Sequence, residues 1–353
     1  MRMTRPGLRP TLWLAAGCLI AAGCGGNGNG NGDAGQTDGD IGTINFYSPE
    51  SPDMTEAMAE AFEEQVGGTV NVISGGTNVI VNRLLAEQDN PQGDLWYGGG
   101  GWMPFEAVID DGILEPYTPA PAEDWEMFEG ELQMHHEDWY WTGVDGFVLG
   151  LSYNTDLVDE AELPATWEEL ADERWDQEIQ LPNPAASGTA TLFVLSQMLA
   201  LGEDQAWDYF DQVVSNANAI PDSGSAPTVA VAQGEAQLGV AFEFMAYQQQ
   251  ARGESVDFHI PESTPVLVNP VALIANGPNP EGAQQFIDWM LGPEGQQVRA
   301  DWQMLVLDEA DEVEQQIPLT VEDIIPHAME LDVDWVQENF DDVRNDWQDR
   351  YAG

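Results

Sequence analysis

Beyond residue 42 the apolar positions of this chain switch repeatedly between a strand period and a helix period. Residues 43–48 (TINFYS) make a run short enough for a buried strand, and residues 53–65 follow with Met54, Met58 and Phe62 at helical spacing. A second strand is expected over 69–73, running into Ser74-Gly75-Gly76-Thr77-Asn78 and then a helix over 79–88. Residues 94–97 read as a third strand, halted by four glycines, Gly98 to Gly101. The alternation returns after Pro164. There a strand over 177–181 is followed by a long apolar helix that Ser187-Gly188-Thr189 opens and that runs to residue 201. A helix over 204–216, the turn Ser223-Gly224-Ser225, a short helix with residues 229–233 and a strand over 237–242 complete this part.

Strand, glycine-rich turn, helix is the unit of a parallel sheet with helices on its faces, so the fold class expected is α/β. Two uncharged strands stand apart from these units: 146–153 (GFVLGLSY) and 271–275. Uninterrupted apolar strands are buried on both faces, which suits a connection between two lobes. The organisation expected is a first lobe of 42–146 with 272–353 and a second lobe of 147–271. Helices over 280–291 and 294–302 and a tail helix over 333–351 finish the chain, with Trp335, Phe340 and Trp347 as packing residues of the tail.

The first 41 residues have a different character. Arg2, Arg5 and Arg9 precede an apolar stretch over 11–23, too short to span a bilayer, which needs roughly 20 apolar residues. Ala21, Ala22 and Gly23 before Cys24 resemble a lipobox, so 1–23 reads as a signal peptide and Cys24 as the lipid-anchored residue. Cys18 is a weaker candidate, and an ordinary secretory signal with an incidental cysteine is the alternative. Residues 24–41, mostly glycine, asparagine and aspartate, have nothing to bury and form a flexible linker. Cys18 and Cys24 are the only cysteines, so the folded body has neither a disulfide nor a thiolate metal site.

Charge narrows the function. The net charge is −54, three units more negative without the leader's arginines, and the chain has no lysine. A Walker-type phosphate loop, a Schiff base and Ser-Lys catalysis are therefore excluded, and so is nucleic-acid binding, which needs a basic footprint. The acids are interleaved with apolar residues along the whole body, so they coat a folded surface. Such a surface repels itself in ordinary salt; at molar salt the Debye length falls to about 3 Å and the repulsion is screened. The expectation is a halophilic protein. No HExxH or GxSxG occurs, the four histidines lie in no catalytic context, and His135-His136-Glu137-Asp138 reads as an exposed segment without a metal. A membrane-anchored hydrolase is the weakest reading, and neither catalytic residues nor a cofactor is expected.

Five phrases carry a family likeness: AEQDNPQGDLWYGGG, DDGILEPYTP, LPNPAASGTATLFVLSQML, SGSAPTVAVAQGEAQLGVAFE and GPNPEGAQQFIDWMLGPEGQQ. Over residues 44–351 the chain resembles the extracellular solute-binding proteins of ABC importers, in the ferric-iron, phosphonate and phosphosugar branch. The resemblance implies a two-lobed type II periplasmic binding fold. In it two mainly parallel sheets are joined by a two-strand hinge, a small molecule is held between the lobes, and a membrane permease is the partner. It also implies an extracytoplasmic, lipid-anchored monomer.

In open parallel sheets ligands collect beyond the carboxyl ends of strands, and helix N-termini there favour anions. Three turns have the right composition: Ser74, Gly75, Thr77 and Asn78; Ser187, Gly188 and Thr189; Ser223, Gly224 and Ser225. Plain helix capping accounts for any one of them. Tyr47 and Ser48 at the end of the first strand, Gly99 and Gly100 at the end of the third, and Glu243 after the strand over 237–242 complete the candidate set. Arg83 reads as a surface ion pair. The favoured ligand is a phosphorylated or other oxyanionic compound. Ferric-binding members of the branch carry adjacent tyrosines just after the strand that here ends in Phe242, usually with a histidine near the first strand. This chain has Phe244-Met245-Ala246-Tyr247 and no histidine in INFYSPES, so ferric iron ranks second.

The charge pattern makes one prediction testable without a ligand. The melting temperature should rise steadily from dilute buffer to molar salt as screening sets in; a melting temperature that salt leaves unchanged contradicts the halophilic reading.

Overall fold

In the computed structural model residues 41–307 and 313–351 are described; the leader, Cys24 and the tether through residue 40 lie outside them. The chain opens with β1 (Thr43–Ser48), α1 (Pro52–Gln65), β2 (Thr69–Ser74), α2 (Thr77–Glu87), β3 (Leu95–Tyr97) and α3 (Met103–Ile109). Both β2 and β3 pair parallel with β1, Phe46 lying opposite Val72 and Leu95. Met54, Met58 and Phe62 of α1 are buried as their spacing requires. Phe62 packs 4.7 Å from Phe286 and 5.7 Å from Trp289, both on a later helix.

Three short strands, β4 (Leu114–Glu115), β5 (Phe128–Glu129) and β6 (Leu132–Gln133), lead to β7 (Thr142–Asn154), in which every residue is buried. The second group contains β8 (Ile179–Gln180), α4 (Gly188–Leu201), α5 (Glu203–Asn216), β9 (Ala217–Ala219) and α6 (Ala226–Ala232). It continues with β10 (Leu238–Phe242), α7 (Glu243–Gln250) and β11 (Val256–His259). Then β12 (Val266–Ile274) returns, followed by α8 (Pro280–Leu291), α9 (Pro293–Asp301), β13 (Leu305–Val306), α10 (Val321–Ile324) and α11 (Val333–Tyr351). Among the described residues no helix is long and apolar enough to cross a membrane.

Strands β7 and β12 make the joint between the lobes. Thr142–Val148 of β7 pairs antiparallel with β12, whose far end pairs with β3; from Leu149 onward β7 pairs with β10 and from Leu151 also with β11. The sheet order β2-β1-β3-β12-β7-β10-β8-β9 thus runs from one lobe into the other. The outcome is the two-lobed α/β arrangement with two crossing strands, and β7 is longer than its expected range because its first half is needed to pair with β12. Gly150 sits where β7 changes partners: any side chain there would collide with the Phe258 ring and the His259 carbonyl, so only glycine allows β11 to lie this close.

A buried ion pair locks the joint. Asp145 on β7 and Arg299 on α9 are both fully buried, 3.3 Å apart. The Tyr97 hydroxyl donates to Asp145 at 2.6 Å, and Arg299 donates to the carbonyls of Gly295 and Val144. Asp145 lies opposite Asn269 of β12, where the ladder shifts register between Asn269 and Pro270. Burial pushes the Asp145 carboxyl up to about 7, against the pull of Arg299 and the Tyr97 bond. Removing one member of such a pair strands the other charge and costs about 3–5 kcal/mol, so the pairing fixes which strands and helix meet at the joint.

Two expectations need correction, and two elements were not foreseen. His135 is not exposed: it is 5 % accessible and stacks on Trp139 with ring centres 3.7 Å apart. Helix α7 and strand β11 follow β10 without a clear apolar period to announce them. Helix α11, grouped by sequence with the first lobe, packs on the second, because Trp347 meets Trp207 and Phe210 of α5 at 6.4 and 5.5 Å.

Candidate functional site

Helices α2 and α4 begin on facing walls of one cleft of about 870 Å³. Gly76, Thr77 and Asn78 come from the first lobe, Ala186, Gly188 and Thr189 from the second. Neither helix start is closed by a side chain: Gly76 has none to offer, and Ser187 makes no capping hydrogen bond. In α2 the Val79 N–H donates to the Gly76 carbonyl at 2.8 Å. The first N–H groups of each helix, on Thr77 and Asn78 and on Gly188 and Thr189, have no intrahelical partner, so both walls offer backbone donors and the positive end of a helix dipole to whatever enters. Helix α4 can start in this way because it is apolar all round and buried from Thr189 to Met198; core burial, not a cap, holds it.

The third contribution comes from the loop after β3. Gly98 to Gly101 all have positive φ (83°, 136°, 83°, 107°), a conformation open to glycine and strained for other residues. A side chain at Gly98 would collide with Glu50. Gly99 and Gly100 line the cleft, the Thr77 hydroxyl donates to the Gly99 carbonyl at 3.3 Å, and the Gly99 N–H donates to Glu50 at 3.1 Å. Burial raises the Glu50 carboxyl above its ordinary value, opposed by hydrogen bonds from Asn269 and Gly99. The floor is apolar: Phe147 and Phe242 meet edge to face at 4.5 Å, and Phe244 stacks on Phe242 at 6.1 Å.

Of the candidate residues, Thr77, Asn78, Gly99, Gly100, Gly188 and Thr189 face the cleft together. Ser187 stands at the start of α4, 8 % accessible, with Gly224 packed behind it; a β-carbon on Gly224 would lie 3.0 Å from the Ser187 hydroxyl and 3.2 Å from that of Thr189. The rest are placed elsewhere. Ser223 and Ser225 bond each other at 3.3 Å on the surface. Gly75 donates to the Ser48 carbonyl, and the Ser48 hydroxyl donates to the Tyr97 carbonyl in the core, while Ser74 ends β2 outside the cleft lining. The Tyr47 hydroxyl donates to Glu87 at 2.8 Å, with Arg83 over its ring and paired to the same carboxylate. Tyr47 is therefore a core residue, because its side chain leaves the sheet on the face covered by α2, not at the strand tip.

Glu243 also points away from solvent. It is fully buried under the floor, where its carboxylate accepts the Val148 N–H at 2.8 Å. Its other carboxyl oxygen, Oε1, is buried without a hydrogen-bond partner. Burial pushes this carboxyl up to about 8, and the nearby Asp145 raises it further. Sequence reasoning missed Glu50, Asn269 and the cleft-facing residues of α11, Gln337, Phe340, Asp341 and Arg344. Glu50 is one acid among 63 Asp and Glu and carries no signal. The α11 residues do carry one: their spacing of three, one and three is one helix face.

The cleft between the two lobes is thus lined from both sides by the starts of α2 and α4. Residues 103–323 match the family model described as bacterial extracellular solute-binding protein, and the chain belongs to that family. An uncharacterized protein of Haemophilus influenzae is 27 % identical over 264 residues, covering 73 % of this chain and 75 % of its own. Iron uptake protein A1 of Synechocystis is 26 % identical over 275 residues, 74 % of either chain. Among solved structures, the periplasmic binding protein AfuA of Actinobacillus pleuropneumoniae, with fructose 6-phosphate bound, aligns with TM-score 0.74 at 25 % identity, covering 88 % of this chain and 99 % of its own.

The buried Glu243 carboxyl gives the site a pH signature. Its folded pKa of about 8 stands above the ordinary 4.5, so the folded state holds this proton more tightly than the unfolded state. The stabilisation is complete below about pH 4.5 and is lost as pH rises through about 8. Glu243→Gln keeps the shape without the charge, so its melting temperature should gain on wild type as pH is raised from about 5 to about 9; parallel curves for the two proteins contradict a proton held at Glu243.

Proposed function

We propose that this protein is the solute-binding component of an ABC importer and that its solute carries a phosphoryl or similar oxyanionic group. The observation that carries this reading is the pair of helix starts, α2 and α4, that face one cleft without side-chain caps. An oxyanion between them accepts hydrogen bonds from both lobes at once, so its binding favours the closed state over the open one. The aromatic floor takes the organic part of the solute. The likeness to AfuA, whose structure holds fructose 6-phosphate, supports the same class. The leader supports export and anchoring through Cys24 at the outer face of the membrane, beside the permease.

Overall charge does not prevent this. The protein's far field repels an anion, but in molar salt that field is screened within about 3 Å, while amide dipoles at contact distance are not. Ferric iron is the second reading, favoured by the relationship to iron uptake protein A1. A trivalent hard cation needs several converging oxygen or imidazole ligands. Among the described residues the cleft lining offers two carboxylates, Glu50 and Asp341, and no tyrosine or histidine.

Calorimetry and thermal shift in molar salt, with inorganic phosphate, fructose 6-phosphate, ferric citrate and iron-free citrate as probes, separate the readings. A phosphorylated probe should raise the melting temperature by mass action and be recovered chemically unchanged. Ser187→Ala combined with Thr189→Ala should weaken its binding by about thirtyfold, since two lost neutral hydrogen bonds at about 1 kcal/mol each sum to about 2 kcal/mol. Unaltered affinity in the double variant removes these two hydroxyls from the site, and stabilisation by ferric citrate but by neither the phosphates nor iron-free citrate overturns the oxyanion reading.

A further inference from the structure

The C-terminal helix supplies the cleft with its one cationic side chain. Trp347 of α11 is buried against Trp207 and Phe210 of α5, and at the helix end both Arg350 and the Tyr351 hydroxyl bond Asp211. This fastens α11 to the second lobe. Nearer its start, Gln337, Phe340, Asp341 and Arg344 line the cleft, and the helix also reaches α3 of the first lobe. Among the described residues that line the cleft, Arg344 is the only arginine or histidine, and the chain has no lysine.

Its position is specific. Nη2 of Arg344 donates to the Ala185 carbonyl at 2.9 Å, three residues before the first residue of α4. The guanidinium therefore stands beside the uncapped helix start described above. One nitrogen is engaged there, and the others are not held in a tight pair: the nearest carboxylate, Asp341, is 3.6 Å from Nη1 with a side chain 87 % exposed. A guanidinium has five N–H donors in a planar fork that matches a phosphoryl group. Of the other arginines in the described residues, Arg299 is consumed by Asp145, Arg83, Arg174 and Arg350 are paired outside the cleft, and Arg252 is exposed in the turn after α7, outside the cleft lining.

Resting on the oxyanion reading, the geometry points to Arg344 as a ligand-binding residue that pairs the solute's anionic group at the start of α4, with α11 as the element that carries this charge across the cleft. The backbone donors of α2 and α4 set where the oxyanion sits. Arg344 supplies the only full positive charge and so selects the dianionic form of a phosphoryl group over the monoanion.

The test measures the Kd of fructose 6-phosphate for wild type and Arg344→Gln at fixed molar salt from about pH 5 to about pH 7, across the second phosphate ionisation near pH 6. Wild-type affinity should increase over this range. Arg344→Gln should lose about ten- to a hundredfold at the upper end, the worth of a charged hydrogen bond, and much less at the lower end. Arg344→Lys, which keeps the charge, should retain most of the pH dependence, and melting temperatures of the free variants report folding. An equal loss at both pH values assigns Arg344 to bracing Ala185 alone and overturns the proposal, as does unchanged binding. If wild type binds no phosphorylated probe at all, the functional reading itself fails and the assignment of Arg344 fails with it.

Discussion

The antiparallel pairing of β7 with β12 is the constraint on which the other features depend. Each strand serves both lobes, so the register that places Asp145 opposite Asn269 also sets how β1 to β3 face β10 and its neighbours. A one-residue slip would turn Asp145 out of reach of Arg299 and reverse every side chain of a strand buried on both faces. The cost of an unpaired buried charge makes that slip prohibitive. Because the cleft lies directly over this joint, with Phe147 and Asn269 in its lining, the geometry of the binding walls follows from the register.

Two kinds of electrostatics meet at this joint and do not conflict. The chain's net charge of −54 acts at long range, and its effect weakens as salt is added. In the function proposed above, the cleft works through backbone dipoles and one guanidinium at contact distance. Beneath its floor, Glu243 holds a proton near neutral pH and Asp145 is paired with Arg299, so the buried acids add less negative charge than their number implies. An oxyanion entering the cleft meets local donors, not the sum of the surface.

Much of the fold was legible because its elements obey simple periods. Met54, Met58 and Phe62 announced α1, and the uncharged runs around Gly150 and Val271 announced the crossing strands; their lengths were set by pairing partners that a local pattern does not contain. The turns at Thr77–Asn78 and Gly188–Thr189 were found from composition, since small residues before an apolar helix mark an exposed start. The same composition also selected Ser223 and Ser225, which bond each other, and Ser74, because a hydroxyl at a turn looks alike whether it faces a cleft or not. Tyr47 and Glu243 misled for a different reason: position at a strand end does not reveal which face the side chain leaves by. Arg344 lay hidden in a helix read for its tryptophans.

The central claim is that the starts of α2 and α4 grip one oxyanion from opposite sides. Amide hydrogen exchange in molar salt, read residue by residue with and without saturating fructose 6-phosphate, tests it most directly. The account predicts that the amides of Thr77 and Asn78 and those of Gly188 and Thr189 slow together when the sugar phosphate is added. Binding of the probe with exchange unchanged at both helix starts, or slowed at only one of them, contradicts it.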